Sequence, residues 1–128
     1  NPVLLDGTHS FMPAAVSDLP QDYWTLGGTW QVSGENITSQ SANAELNFRV
    51  GAKDVYVVAG SADGQSHRVS VGLPSVNATE YGSDAPDGVL TVNGSKLYHI
   101  VSLKQPGSTL VTLIVPKGVT LYTFTFGS

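Results

Sequence analysis

Nowhere in the sequence do about ten consecutive residues keep apolar side chains at i, i+3, i+4 and i+7, so no segment offers a long helix a face to bury. Short apolar runs recur instead between clusters of Gly, Pro, Asn and Asp. The clearest is Ala44-Glu45-Leu46-Asn47-Phe48-Arg49-Val50, whose even-numbered members are apolar and odd-numbered members polar, the pattern of a half-buried strand. Val55-Tyr56-Val57-Val58-Ala59 is apolar on both faces and is expected to be a central strand covered on both sides. Arg68-Val69-Ser70-Val71-Gly72-Leu73 turns Val69, Val71 and Leu73 inward. Further strands are expected at residues 23–26 and 29–32, separated by a tight turn or bulge at Gly27-Gly28, and at 89–92, 96–103, 109–115 and 119–126, with at most a short one at 76–79.

The punctuation predicts connections. Ser61-Ala62-Asp63-Gly64-Gln65-Ser66 has the length and the Asp-Gly pair of a hairpin, and Asn93-Gly94 is a type I′ turn signal joining 89–92 to 96–103. Residues 74–88 form the longest irregular connection. Residues 1–22, with Pro2, Pro13 and Pro20, read as an extended lead-in, which leaves 23–128 as one domain. Eight or nine short antiparallel strands at regular spacing make an all-β fold, a β-sandwich or jelly roll.

With 128 residues, 41% hydrophobic and 12% charged, the chain is long enough to bury a core without disulfides or a structural metal. Six Lys plus Arg against ten Asp plus Glu give a net charge of −4, which argues against nucleic acid as a partner because phosphate binding rests on clustered cations. No apolar stretch approaches the roughly 20 residues of a membrane helix, and no signal-type opening is present, so no membrane insertion is expected. The chain opens at Asn1-Pro2 with no initiator Met, as expected of a piece cut from something longer. It contains no Cys, which removes a dithiol redox site, a thiolate nucleophile and a Cys-ligated zinc from these residues but leaves the compartment open.

Little points to chemistry. His9, His67 and His99 are scattered, without the paired spacing of a metal site, and are expected to be structural or superficial. No G-x-S-x-G elbow, nucleotide cradle or EF-hand loop occurs. Glu35, Glu45, Asp84 and Asp87 read as solvated, since a glycosidase needs two carboxylates facing each other across a cleft. Asn36-Ile37-Thr38, Asn77-Ala78-Thr79 and Asn93-Gly94-Ser95 match the glycosylation pattern, the last being explained by its turn. No catalytic residue, metal or cofactor is expected.

The aromatics remain. Phe48, Phe124 and Phe126 lie in strand patterns and are expected to pack in the core or on a sheet face. Trp24, Trp30 and Tyr81 are the candidate ligand-binding rings, which could stack on sugar C–H faces. Trp24 and Trp30 share a side of an uninterrupted strand, unless Gly27-Gly28 breaks the register. Tyr81, in a polar loop, is expected to be exposed.

Several segments carry a resemblance in order: Trp24-Thr25-Leu26-Gly27-Gly28-Thr29-Trp30, Ala44-Glu45-Leu46-Asn47-Phe48, Ala52-Lys53-Asp54-Val55-Tyr56-Val57-Val58, Asp87-Gly88-Val89-Leu90-Thr91-Val92, Lys96-Leu97-Tyr98-His99-Ile100-Val101, and the closing Gly118-Val119-Thr120-Leu121-Tyr122-Thr123-Phe124-Thr125-Phe126-Gly127. Over residues 23–127 the chain resembles the C-terminal domain that follows the thioredoxin-like domain in DipZ-type thiol-disulfide proteins. It departs at Gly72-Leu73-Pro74-Ser75, where relatives tend to have an Asp-Gly turn. The resemblance implies a jelly-roll sandwich like that of carbohydrate-binding modules, displayed outside the cytoplasmic membrane. It implies a non-catalytic accessory domain, docked on the thioredoxin-like domain of the same polypeptide or helping it recognise partners. The alternative it leaves is a module that anchors the redox protein to cell-wall glycan.

Overall fold

The structure, a computed structural model, describes residues 4–12, 16–74, 80–105 and 107–127. Its strands are β1 (Gly7–Phe11), β2 (Trp24–Val32), β3 (Ile37–Ser39), β4 (Ala44–Val50), β5 (Asp54–Ser61), β6 (His67–Gly72), β7 (Val89–Val92), β8 (Lys96–Ser102), β9 (Thr109–Val115) and β10 (Val119–Gly127), with a 3-10 turn at Pro86–Gly88 before β7. The short strand expected at 76–79 lies outside the described residues.

All pairings are antiparallel, in the order β7-β6-β9-β4-β2-β3-β10-β5-β8, with β1 on β2. The path folds at β2 into the two layers of a jelly-roll β-sandwich. Trp24 to Gly27 pair with β4 in the first sheet, whereas Trp30 to Val32 pair with β3 in the second. Gly27-Gly28 therefore does not end the strand; it lets one strand change sheets. Gly28 has φ +81, and a Cβ there would lie 2.8 Å from Ser41 Oγ and 3.0 Å from Ala44 Cα, so the corner is closed to larger residues.

Apolar residues from both inner faces fill the space between the sheets. Ala44, Leu46, Phe48 and Val50 are all buried, as the alternation of β4 requires, and meet Val55, Val57, Ala59, Ile100 and Leu121 from the second sheet. Asn47, on the outer face of β4, is also buried; its Oδ1 accepts a hydrogen bond from Thr112 Oγ1 at 2.6 Å. The outer-face side chains Tyr56 and Val58 of β5 are only half-buried, so that strand is central but covered on one side.

Both expected hairpins are corrected. β5 pairs with β8 and β10 while β6 pairs with β7 and β9, so the Asp63-Gly64 turn arches from one sheet to the other. The Asn93-Gly94 turn does the same between β7 and β8. Here the buried Tyr98 supplies what a ladder would have supplied: its hydroxyl donates to Gly94 O at 2.8 Å and accepts from Asn93 N at 3.2 Å. A turn signal reports a reversal of the chain, and the interior side chains decide whether the strands then pair or face.

Two strands were not legible in the sequence. β3 is short, and β1 lies in the stretch read as a lead-in, where Thr8, His9 and Ser10 pair with Gln31, Trp30 and Thr29. Farther along, residues 16–19 are held by Arg49, whose Nε and Nη2 donate to the carbonyls of Leu19, Val16 and Ser17.

Candidate ligand-binding groove

The register of β10 shifts by one residue in its middle. Leu121 pairs with Ala59, but Thr123 pairs with Val58, so Tyr122 is the extra residue of a β-bulge. Beyond it Phe124 and Phe126 stand opposite the buried Val57 and Val55. The bulge thus turns the two phenylalanines to the inner face; an unbroken register would have turned Thr123 and Thr125 there.

This end of the sandwich is open. Of β10, only Thr120 and Leu121 pair with β3, so the remainder of β10 has β5 as its one strand neighbour among the described residues. Trp24 to Gly27 likewise pair only with β4. Between these two edges lies a groove of about 410 Å³, within the roughly 300–1,000 Å³ of ligand clefts. Trp24 and Phe48 wall it from the first sheet, and Tyr122, Phe124 and Phe126 from the second. Phe48 and Phe124 meet with ring centroids 4.7 Å apart at 48°. Tyr23, Tyr122 and Phe126 are 47%, 43% and 52% exposed, an unusual concentration of rings in contact with solvent. The rim is polar: Asp22, Ser33, Glu35, Asn36, Arg49 and Thr123.

Of the rings singled out in the sequence, Trp24 lines this groove and is half-buried. Trp30 is corrected: it is 0% exposed and its indole N–H donates to Gly27 O at 3.0 Å, so it has no face to offer a ligand. The two tryptophans part company because β2 changes sheets between them. Tyr81 is corrected as well, being half-buried against the core and bridged to Val101; its ring lies where a Gly88 Cβ would be, with Cζ 3.0 Å away, and it takes no part in the groove. Phe126, expected to be packed, is half-exposed. Tyr23, Tyr122 and Phe126 were missed because a bulge and an unpaired edge leave no mark in strand periodicity.

The histidines have local partners. His9 Nε2 lies 3.3 Å from Asp6 O, and His67 Nε2 lies 2.8 Å from Asp63 Oδ1. His99 sits between Asp54, whose Oδ1 is 3.0 Å from Nε2, and Ser83, whose Oγ is 3.5 Å from Nδ1, while Tyr56 stacks on the imidazole with centroids 4.5 Å apart. In this Ser-His-Asp order the serine hydroxyl does not have the imidazole to itself. The Ser83 backbone N–H also points at Nδ1 and competes for its lone pair, and Asp84 Oδ2 accepts from His99 N at 2.8 Å. The array ties the 80–85 loop to the β5–β8 edge. Among the described residues no three His, Asp or Glu side chains converge as metal ligands would, and no helix is long and apolar enough to cross a membrane.

The family model described as thioredoxin like C-terminal domain matches residues 2–127. The fold is similar to a family two carbohydrate esterase from Cellvibrio japonicus (TM-score 0.64, 16% identity), covering 97% of this chain but 35% of that one. It is also similar to CsCBM6-3 from Clostridium stercorarium, solved in complex with cellobiose (TM-score 0.49, 13% identity), covering 96% of this chain and 94% of that one. No curated protein matches.

Proposed function

The chain belongs to the family of thioredoxin-like C-terminal domains, and from that membership and the groove we propose that it is a non-catalytic binding module which holds a saccharide between Trp24, Tyr122 and Phe126. The carrying observation is the cluster of half-exposed rings in a groove with a polar rim. Flat rings take the C–H face of a pyranose, and the rim amide and carboxylates take its hydroxyls. In this reading the domain accompanies a thioredoxin-like domain in a DipZ-type, extracytoplasmic polypeptide and anchors it to cell-wall glycan. A second reading, favoured by the family, makes the same groove the seat of the thioredoxin-like domain itself.

Titration with neutral and amino oligosaccharides, followed by tryptophan fluorescence and NMR shifts, tests the first reading. A saturable response, abolished by Tyr122→Ala or Phe126→Ala in a folded protein, supports it. Silence across the panel, with shifts at the same residues on adding the thioredoxin-like domain, supports the second.

A further inference from the structure

We propose that Asn93 is a site of spontaneous covalent modification, loss of its side-chain amide through a succinimide, and that the Tyr98 hydroxyl sets the rate. In this reaction the Gly94 backbone nitrogen, having given up its proton, attacks Asn93 Cγ, and ammonia leaves as the ring closes. Water then opens the ring. Cleavage at the former side-chain carbonyl leaves aspartate; cleavage at the backbone carbonyl leaves isoaspartate, whose main chain runs through Cβ and Cγ.

Asn93-Gly94 is the one Asn-Gly pair in the chain, and glycine puts no side chain in the path of the attack. The fold does not require glycine there: neither residue has the positive φ of a type I′ turn, and nothing lies within 4 Å of a Cβ at position 94. Asn93 is exposed, on an arch between the sheets, and among the described residues no acceptor holds the Gly94 N–H. Comparable sites are better protected. The Gly88 N–H donates to Ala85 O at 3.0 Å, and Asn36, Asn43 and Asn47 precede the strand residues Ile37, Ala44 and Phe48.

Tyr98 restrains the reaction. Its hydroxyl accepts from Asn93 N at 3.2 Å and donates to Gly94 O at 2.8 Å, gripping the dipeptide at both ends. Bringing Gly94 N onto Cγ turns the peptide plane between those ends and breaks the grip. In the isoaspartyl product the main chain between the two gripped atoms is longer and carries a new charge, so the hydroxyl of this buried side chain no longer serves both. Modification thereby loosens the arch.

The test incubates the folded protein at neutral and mildly alkaline pH, following ammonia release, the mass gain at Asn93 by peptide mapping, and isoaspartate by enzymatic methylation. Isoaspartate is expected at Asn93 ahead of the other asparagines, at a rate that rises with hydroxide concentration. Tyr98→Phe, which removes only the hydroxyl, should speed it roughly tenfold, the weight of one to two hydrogen bonds. Gly94→Ala should suppress it without moving the urea midpoint. Phe124→Ala, which weakens the sandwich elsewhere, should leave the rate nearly unchanged and so separates the Tyr98 grip from global opening. If Tyr98→Phe does not fold, the parent decides: its rate should lie roughly tenfold below that of a free peptide of residues 90–96, which lacks the tyrosine. The proposal is overturned by an Asn93 that stays intact in the folded parent, by a Gly94→Ala or Tyr98→Phe rate equal to the parent's, by a Phe124→Ala chain that reacts as fast as Tyr98→Phe, or by a parent as fast as the peptide.

Discussion

Phe48 and Phe124 come from opposite sheets and meet at 4.7 Å, joining the core to the floor of the groove. Phe48 is buried and Phe124 only partly so, which makes this contact the point where the sandwich stops being sealed.

Phe124→Ala should therefore cost about 2–3 kcal/mol, less than the ~3–5 kcal/mol of a fully buried phenylalanine because part of its ring is already in water. Urea unfolding with an unchanged slope measures it. Tyr122→Ala, on the exposed bulge, should stay within about 0.5 kcal/mol of the parent.

Gly28→Ala places a methyl group against Ser41 Oγ and the Ala44 backbone, at a φ that side chains rarely adopt. A loss of about 1–3 kcal/mol is expected. Gly94, with nothing within 4 Å of its Cβ position, should accept Ala within about 0.5 kcal/mol in the same thermal melts.

Thr112→Val should cost about 1–3 kcal/mol by leaving the buried Asn47 carbonyl without its donor. Adding Asn47→Leu removes the orphaned acceptor, so the double variant should be the more stable of the two. A parallel pair of denaturation curves decides the order.

Asp63 accepts hydrogen bonds from Gln65 N at 3.0 Å, His67 Nε2 at 2.8 Å and Ser61 Oγ at 3.0 Å. These, led by the Gln65 backbone N–H, hold its carboxyl down from 3.8 to about 2. A depressed carboxyl stabilises the fold above its unfolded value and stops doing so as pH falls through the folded one. The contribution should thus be whole above about pH 4 and fade towards pH 2, with an NMR titration of the Asp63 carboxyl carbon following the same course. Asp63→Asn should flatten that part of the stability profile.

Much of the sandwich was legible because period-two alternation reports burial directly: the even-numbered residues of β4 and the inward set of β6 fall where the pattern put them. Partnership was not legible. Asp63-Gly64 and Asn93-Gly94 look the same in the chain whether the strands on either side pair or face each other across a core. The groove was legible only through Trp24. Its other rings depend on the Tyr122 bulge and on where β3 stops pairing, both products of tertiary register that no local window contains.

β10 is the last strand in chain order, yet it lies inside its sheet, between β3 and β5. Until it arrives, β3 and β5 have nothing to join them, so a nascent chain emerging from the ribosome can pair the strands of the first sheet but has no continuous second sheet to close over its apolar face. The domain should fold only after its final strand has been released, slowly, as contacts between distant segments require, and a chain cut before Val119 should be recovered as aggregate or protease fragments.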